Sequence, residues 1–268
     1  MKMKEFRDYL KEKNLSKNTI SAYEYSIVMF KRLFGEINKT NLLAFKGYML
    51  EHFKVRTVNL RIQALNKYLA YIKKKDLQIT AVKIQQKPFL ENVISDADYL
   101  FLKKSLKKEE NLKWYFVVRF LGATGARVSE LVQIKVEHVK LGYLDLYTKG
   151  GKTRRIYIPK VLKVEALEWL KKLDRGLGYI FLNNTGEPIT TRGISIQLKK
   201  FAGKYGINPD VVYPHSFRHR FAKNFIQKYN DISLLADLMG HDSIETTRIY
   251  LRLTSTEQRE IVDKIITW

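Results

Sequence analysis

The side chains of this chain that are best suited to catalysing a reaction lie between Pro214 and Tyr250. The segment reads P-H-S-F-R-H at 214–219 and L-M-G-H at 238–241, and Tyr250 follows nine residues after the last histidine. Histidine exchanges protons near neutral pH, and a guanidinium donates paired hydrogen bonds to phosphate oxygens. A tyrosine hydroxyl is a nucleophile once its proton is removed. Together these side chains could surround a phosphate and attack it.

Each of these residues also has an ordinary structural explanation. A tyrosine on an amphipathic helix is usually part of a core or an interface, and the chain contains 16 tyrosines. His215 and His219 stand four residues apart, a spacing that can bind a metal ion. The glutamate of an HExxH motif is missing, however, and Arg218 would place a cation beside the metal. We therefore predict no metal site.

Composition narrows the class of protein. The 268 residues allow one large domain or two ordinary ones, and 45% hydrophobic residues can fill real cores. Without cysteine, disulfides, thiolate metal sites and a cysteine nucleophile are excluded. The formal charge of +22 favours a nucleic-acid partner over a membrane surface, because the basic residues are spread along the chain. No membrane-length apolar run or signal-peptide core is visible, so we expect a cytoplasmic protein.

Helical periodicity predicts a four-helix unit over residues 1–80, followed by a linker at 81–93. Ser16 and Thr40 are the expected N-caps of the second and third helices. The expected helices cover 2–13, 16–33, 40–53 and 55–74. Basic side chains in this unit and in the rest of the chain are predicted to contact DNA. These candidates are Arg56, Arg61, Lys67, Arg154 and Arg192.

Residues 94–268 are predicted to form a mixed α/β domain. Ser95 and Asp98 form a capping box for its first helix. From Gly142 the hydrophobic period changes from 3.6 to 2, which predicts strands at 143–147 and 155–158 around the turn K-G-G-K, and a short strand at 179–182. Asp242 with Glu245 is the expected cap of the helix that carries Tyr250. The predicted fold class is mainly α with a small β-sheet.

Taken together, the motifs resemble the tyrosine recombinase (phage integrase) family, and its compact Xer-like members in particular. The matching segments are A-T-G-A-R-V-S-E-L at 123–131, T-K-G-G-K-T-R-R at 148–155, the two histidine motifs, and Tyr250 at the family's interval beyond His241. They occur in order and cover about 95–253. The N-terminal helices resemble the family's SAM-like core-binding domain more loosely.

The resemblance implies roles around one scissile phosphate. Arg127 and Arg218 would bind its non-bridging oxygens, and Tyr250 would attack phosphorus. His215 would be the general base, and His241 would donate a hydrogen bond to the phosphate.

Three further residues complete the implied site. Lys149 would protonate the leaving 5′-oxygen, with Lys152 as the nearest competitor for that role. Glu130 would orient or buttress its neighbours. The arginines and the lysine supply the positive charge, so the resemblance implies no metal ion and no other cofactor.

The implied function is site-specific DNA recombination through a 3′-phosphotyrosyl intermediate. The partners would be a double-stranded DNA recombination site and three further copies of the chain in a homotetramer on two sites. A C-terminal helix after Thr254 would either pass to a neighbouring copy or pack on its own core. A type IB topoisomerase and a basic, non-catalytic DNA-binding protein are the alternatives. Resolution of chromosome dimers and movement of a mobile element both remain open.

Overall fold

The computed structural model describes residues 3–84, 92–147, 153–241, 243–251 and 255–266. The chain divides into two compact units, residues 1–86 and 87–268, and each is described by itself. Within the described ranges the protein is mostly helical and carries one two-stranded sheet, which confirms the predicted fold class. None of the helices in those ranges has both the length and the apolar character needed to span a membrane.

The first unit is a four-helix assembly around an aromatic core. Phe6, Phe30 and Phe45 are fully buried, and the rings of Phe30 and Phe45 meet edge to face with centroids 5.4 Å apart. Such packing adds to the free energy gained from burying each ring. The helices are α1 Met3–Glu12, α2 Lys17–Phe34, α3 Lys39–His52 and α4 Val55–Tyr71, followed by a 3-10 turn at Lys75–Leu77.

Of the two N-caps predicted in this unit, one is confirmed and the other is wrong. Ser16 caps α2 as predicted, because its hydroxyl accepts from the Thr19 amide at 3.1 Å. The predicted cap at Thr40 is wrong. Asn38 caps α3 instead, its Oδ1 accepting from the Asn41 amide at 2.8 Å. Asn38 is in extended conformation, as a cap must be, and Thr40 already lies in the first turn.

The first unit continues beyond residue 80. The side-chain amide of Asn66 pairs with both backbone groups of Ile79, at 2.8 and 3.0 Å. Asn59 does the same for Val82, at 2.8 Å in each direction. These paired bonds fix the extended chain along α4 and bury Ile79 in the core. Val82 therefore packs on the core of the first unit, although it lies in the stretch whose lack of periodicity predicted a linker.

The second unit surrounds α6, a helix that is buried on nearly all sides. Phe116, Phe120 and Leu121 of α6 belong to the main core of the unit. Ser95 caps α5 as predicted, accepting from the Asp98 amide at 3.0 Å. The first elements of the second unit are α5 Asp96–Lys108, α6 Leu112–Thr124, α7 Val128–Leu131, α8 Val136–Leu141, β1 Tyr143–Tyr147 and β2 Thr153–Tyr157. They are followed by α9 Lys160–Lys172, α10 Thr191–Lys204, α11 Pro214–Lys228, α12 Ile232–Met239, α13 Ile244–Arg248, a 3-10 turn at Ile249–Leu251, and α14 Ser255–Ile265.

The sheet of this unit is an antiparallel hairpin, in register from Tyr143 opposite Tyr157 to Tyr147 opposite Thr153. The predicted third strand at 179–182 is wrong. In the described ranges, Tyr179 and Leu182 make only isolated bridges, to Lys135 and to Pro188. The partners lie on opposite sides of the segment and in different parts of the chain, so no continuous ladder forms there.

The connection after α6 brings the site together. Gly125 ends α6 in the left-handed conformation, with φ of 61°. A Cβ atom there would lie 2.5 Å from the ring of Phe221 on α11, so glycine lets α11 pack closely against this turn. The buried hydroxyl of Ser216 accepts from the Ile94 amide at 2.7 Å and fixes the start of α11. These contacts place Arg127 and Arg218 at neighbouring helix ends.

Candidate active site

Five of the six residues predicted to act on the phosphate converge in the second unit. Arg127 is the N-cap of α7, and His215 and Arg218 lie on α11. His241 follows Gly240, the C-cap of α12, and Tyr250 lies in the 3-10 turn after α13. The sixth, Lys149, and its competitor Lys152 lie outside the described residues.

Three consecutive backbone carbonyls at the end of α12 hold three arginines. The Leu238 carbonyl accepts from Arg154 Nη2 at 2.9 Å, and the Met239 carbonyl accepts from Arg218 Nη2 at 2.5 Å. The Gly240 carbonyl accepts from Arg127 Nη2 at 3.0 Å. The last carbonyls of a helix have no partners within the helix and carry its partial negative charge. This terminus therefore gathers three guanidinium groups that would otherwise repel one another.

Gly240 makes this arrangement possible. It terminates α12 in the left-handed conformation, with φ of 59°. A Cβ atom there would collide with Cδ of Arg154, so the arginine stem passes over the place where another residue would carry its side chain.

Arg218 is the most deeply buried cation of the site. Its Nη1 donates to the Gly125 carbonyl at 2.6 Å, whereas its Nε is buried and has no hydrogen-bond partner among the described residues. Burial, followed by the charges of Arg127 and Arg154, lowers the pKa of Arg218 to about 10. The group still carries its charge at neutral pH. A buried, unpaired N–H on a cation is costly, and an anionic oxygen would satisfy it.

Arg127 faces solvent more than Arg218 does, with about 39% of its side chain exposed. Its Nη1 donates to Glu130 Oε1 at 2.8 Å, and its backbone amide donates to Oε2 at 2.6 Å. Burial opposes the ionisation of Glu130, but Arg154 and Arg127 outweigh it and hold the pKa of this carboxyl below its usual range. Glu130 thus orients Arg127, the contact expected of a buttress.

Arg154 differs from the sequence-based expectation. It was predicted as a surface contact for DNA, but only 4% of its side chain is exposed. Its Nη1 bridges both oxygens of Glu130 at 2.5 and 2.6 Å, and its Nε and Nη2 reach the Leu238 carbonyl. The side chain is buried because it lies on the same face of β2 as Ile156, which faces the core. Strand alternation was the signal that could have shown this.

Tyr250 is 4% exposed, and its hydroxyl lies 3.2 Å from Nδ1 of His219. Burial raises the pKa of this phenol, and the charges of Arg218 and Arg127 oppose that rise. His219 was considered from the sequence only as half of a metal-binding pair. Its position four residues after His215 also places it on the same helix face, one turn nearer to the tyrosine.

His215 lies at the exposed rim of the site, with its ring 4.6 Å from the ring of His219. Desolvation among the neighbouring side chains, with the charges of Arg218 and Arg127, lowers its pKa. Desolvation, followed by the charges of His215, Arg218 and His241, lowers the pKa of His219 to about 4. Both rings are therefore neutral at physiological pH in the free protein.

His241 makes one hydrogen bond with each ring nitrogen. Its Nε2 lies 3.1 Å from Arg218 Nη2, and its Nδ1 lies 2.8 Å from the hydroxyl of Thr247. Its ring is nearly parallel to that of Tyr250, with centroids 6.2 Å apart. Desolvation and the nearby arginines lower the pKa of His241 to about 4.

The remaining predicted DNA contacts fall into two groups. Arg56 and Arg192 are exposed, and Lys67 is partly exposed. Arg61 is occupied within the first unit, where Nη1 donates to Ser26 Oγ at 2.9 Å and its guanidinium stacks on the Tyr25 ring at 4.6 Å. For His215 and His219, the described part of the chain supplies no third His, Asp or Glu in a metal-binding group.

Comparison with protein families relates both units to known domains. The model described as the phage integrase family matches residues 93–257. A second model, the phage integrase N-terminal SAM-like domain, matches residues 3–76.

Among curated proteins, the chain is similar to tyrosine recombinase XerA of Pyrococcus horikoshii, with 30% identity across 98% of this chain and 92% of that protein. It is also similar to tyrosine recombinase XerC of Leptospira interrogans, with 27% identity across 97% and 91% of the two chains.

Solved structures show the same fold. The XerH site-specific recombinase bound to palindromic difH substrate, in a post-cleavage complex, has a TM-score of 0.74 at 20% identity and is matched over 93% of this chain and 80% of that chain. The Tn1549 transposon integrase in complex with transposon right end DNA has a TM-score of 0.73 at 16% identity, over 99% of both chains.

Replacing Arg154 with Met should lower the free energy of unfolding of the second unit by about 3 kcal/mol, because it removes the main counter-charge of buried Glu130. The neighbouring Arg155 is the matched control, since it pairs with Asp145 on the exposed face of the hairpin. Arg155→Met should change stability little. Urea denaturation compares them, and equal effects of the two substitutions would contradict the role given to Arg154.

Replacing His219 with Asn should make the free energy of unfolding depend less steeply on pH between 6.5 and 4. His219 has a pKa near 4 when folded, against an ordinary value of 6.5, so between these pH values the unfolded chain binds a proton that the folded chain does not. Stability therefore falls as the pH drops from 6.5 to 4, and the substitution should reduce that slope by up to about 1.4 kcal/mol per pH unit. Urea midpoints across this range measure it. An unchanged slope, equal to that of the control His52→Asn in the first unit, would refute the assignment.

Proposed function

The chain belongs to the phage integrase family, and from that premise we propose that it is a site-specific DNA recombinase. It cleaves and rejoins DNA strands through a 3′-phosphotyrosyl intermediate. The observation that carries the proposal is a buried tyrosine hydroxyl beside two arginines that are anchored on one helix terminus.

The first task of the site is to bind one phosphodiester. Arg218 offers a buried, unpaired Nε, and Arg127 is partly exposed. The transition state of phosphoryl transfer carries extra negative charge on the non-bridging oxygens, and each guanidinium donates in a fixed plane to such oxygens. Because the protein already holds both groups, little reorganisation is needed when charge develops.

The chemical step is a transesterification. The Tyr250 oxygen forms a bond to phosphorus, the bond from phosphorus to the 5′-oxygen breaks, and the phenolic proton passes to a base. We assign that base as His215, with His219 holding the hydroxyl through its Nδ1. Neutral rings are required for both roles, in agreement with their lowered pKa values.

The leaving 5′-oxygen takes a proton, and we assign Lys149 as its donor, with Lys152 as the competitor. The intermediate retains a phosphodiester bond, now to tyrosine. A 5′-hydroxyl of a partner strand attacks phosphorus, and the tyrosine oxygen leaves. One phosphodiester replaces another, so the exchange needs no nucleotide to supply energy.

The partner is a double-stranded DNA recombination site. The net charge of +22 supports it, since covering phosphates releases bound counterions. The exposed Arg56 on α4 and Arg192 on α10 are the surface contacts that we assign. Residues 1–80 act as the core-binding domain and 94–268 as the catalytic domain.

We further propose that the enzyme works in the cytoplasm as a homotetramer on two DNA sites. The last described helix, α14, supports exchange between copies, because Val262 and Ile265 are 54% and 59% exposed. Exposed apolar side chains on a terminal helix are suited to a groove on a neighbouring copy.

Tyr250→Phe should abolish the covalent protein–DNA adduct that forms on a nicked duplex carrying the recombination site, because it removes only the attacking oxygen. Tyr229→Phe is the control, since Tyr229 is 59% exposed and lies at the end of α11. It should form the adduct at the normal rate. Denaturing gel electrophoresis measures both, and an adduct that persists in Tyr250→Phe would disprove the nucleophile.

The same reactions separate the proposal from its rivals. Joint products from two differently labelled sites identify a recombinase, whereas relaxation of supercoils without joint products identifies a type IB topoisomerase. DNA binding with no adduct in any variant identifies a non-catalytic binding protein.

A further inference from the structure

The two hydrogen bonds of His241 determine which of its nitrogens carries the proton. An arginine guanidinium only donates, so Nε2 must accept from Arg218 Nη2 at 3.1 Å. With a pKa near 4 the ring is neutral and has a single N–H, which is then on Nδ1. That N–H donates to the Thr247 hydroxyl at 2.8 Å. The free protein therefore holds His241 as the Nδ1–H tautomer.

This tautomer is the wrong one for contact with a phosphate. In the free protein, Nε2 of His241 and the guanidinium of Arg218 are directed at each other. When a phosphate draws the Arg218 donor to itself, Nε2 is left facing an anionic oxygen with a lone pair. Two acceptors repel each other, and the contact becomes favourable only if Nε2 carries the proton.

The side chain of Thr247 can form a hydrogen bond with either tautomer of His241. It is fully buried on α13 and contacts His241 through its hydroxyl, which both donates and accepts. Arg218, and then the phosphate, decides which tautomer of His241 forms. We propose that Thr247 is a positioning residue that keeps Nδ1 of this ring hydrogen-bonded in both. Its hydroxyl accepts from Nδ1 in the free protein and donates to Nδ1 when a phosphate occupies the site. The proposal rests on the proposed function for the identity of the phosphate, but not for the tautomer.

The exchange conserves charge and protons. One proton leaves Nδ1 for solvent and another binds Nε2, so the ring is neutral before and after. The Thr247 hydroxyl only rotates, and no covalent bond breaks. Because either orientation of the hydroxyl pairs with Nδ1, this partly buried nitrogen keeps a hydrogen-bond partner in both tautomers, which an apolar neighbour could not supply.

Thr247→Val removes the hydroxyl and keeps the shape, and Thr247→Ser restores a hydroxyl. Thr246→Val is the matched control, since Thr246 is exposed one residue earlier. Nitrogen-15 NMR of histidine-labelled full-length chain distinguishes the two tautomers, and His241→Gln identifies the His241 signals among the five histidines. The wild type and Thr246→Val should show Nδ1–H when free. Both should move to Nε2–H on saturation with inorganic phosphate, as should Thr247→Ser.

In Thr247→Val, Arg218 still donates to Nε2, so the free protein should keep the Nδ1–H tautomer. Saturation with phosphate should leave a mixture of tautomers, because no hydroxyl donates to Nδ1 of the Nε2–H form. Adduct formation on the nicked duplex should fall about 10- to 100-fold, with unchanged DNA affinity and recovery in Thr247→Ser. Complete conversion of Thr247→Val to the Nε2–H tautomer with phosphate, or a full adduct rate in that variant, would overturn the proposal. If no variant, wild type included, forms an adduct, the proposed function fails, while the NMR result still decides the tautomer.

Discussion

The structure depends on one electrostatic constraint, the confinement of three guanidinium groups at the end of a single short helix. Arg127, Arg154 and Arg218 come from three different elements, and each donates to a different one of three consecutive carbonyls at 238–240. Like charges so close together repel strongly in a poorly solvated site. The carbonyl end of α12 and the ionised Glu130 offset that repulsion, so the cluster exists before any DNA phosphate arrives.

The charge of this cluster governs the titrating groups around it. It adds to desolvation in lowering the pKa of His219 and His241, and it opposes the burial that raises the pKa of Tyr250. A single phosphate would relieve the repulsion among the arginines and the histidines together. Phosphate binding and the protonation of the titrating side chains are therefore coupled through charge. Gly240 permits the arginine cluster to form, because it leaves space for the stem of Arg154.

The sequence predicted the elements and the convergent motifs better than it predicted the supporting contacts. The resemblance implied that Arg127, Arg218 and His241 act on one phosphate, and the structure brings these three side chains together at the end of α12. Charge alone placed Arg154 on the DNA surface, although its alternation with Ile156 indicated the buried face. Nothing in the sequence separates Thr247 from Thr246, or Asn38 from Thr40 as a cap, because both members of each pair have suitable chemistry. Asp242, the expected cap of α13, lies outside the described residues. Ser243 is the N-cap that the structure describes, and its hydroxyl accepts from the Glu245 amide at 3.3 Å.

A crystal structure of the Tyr250→Phe chain on a duplex carrying its recombination site would show whether the arginines at the end of α12 bind a single phosphate. The site can be identified by sequencing the DNA that the wild-type chain joins. Arg127 and Arg218 should both donate to oxygens of one phosphate while the carbonyls of Gly240 and Met239 still accept from them. Arginines that contact different phosphates, or that leave the carbonyls at the end of α12, would contradict this prediction.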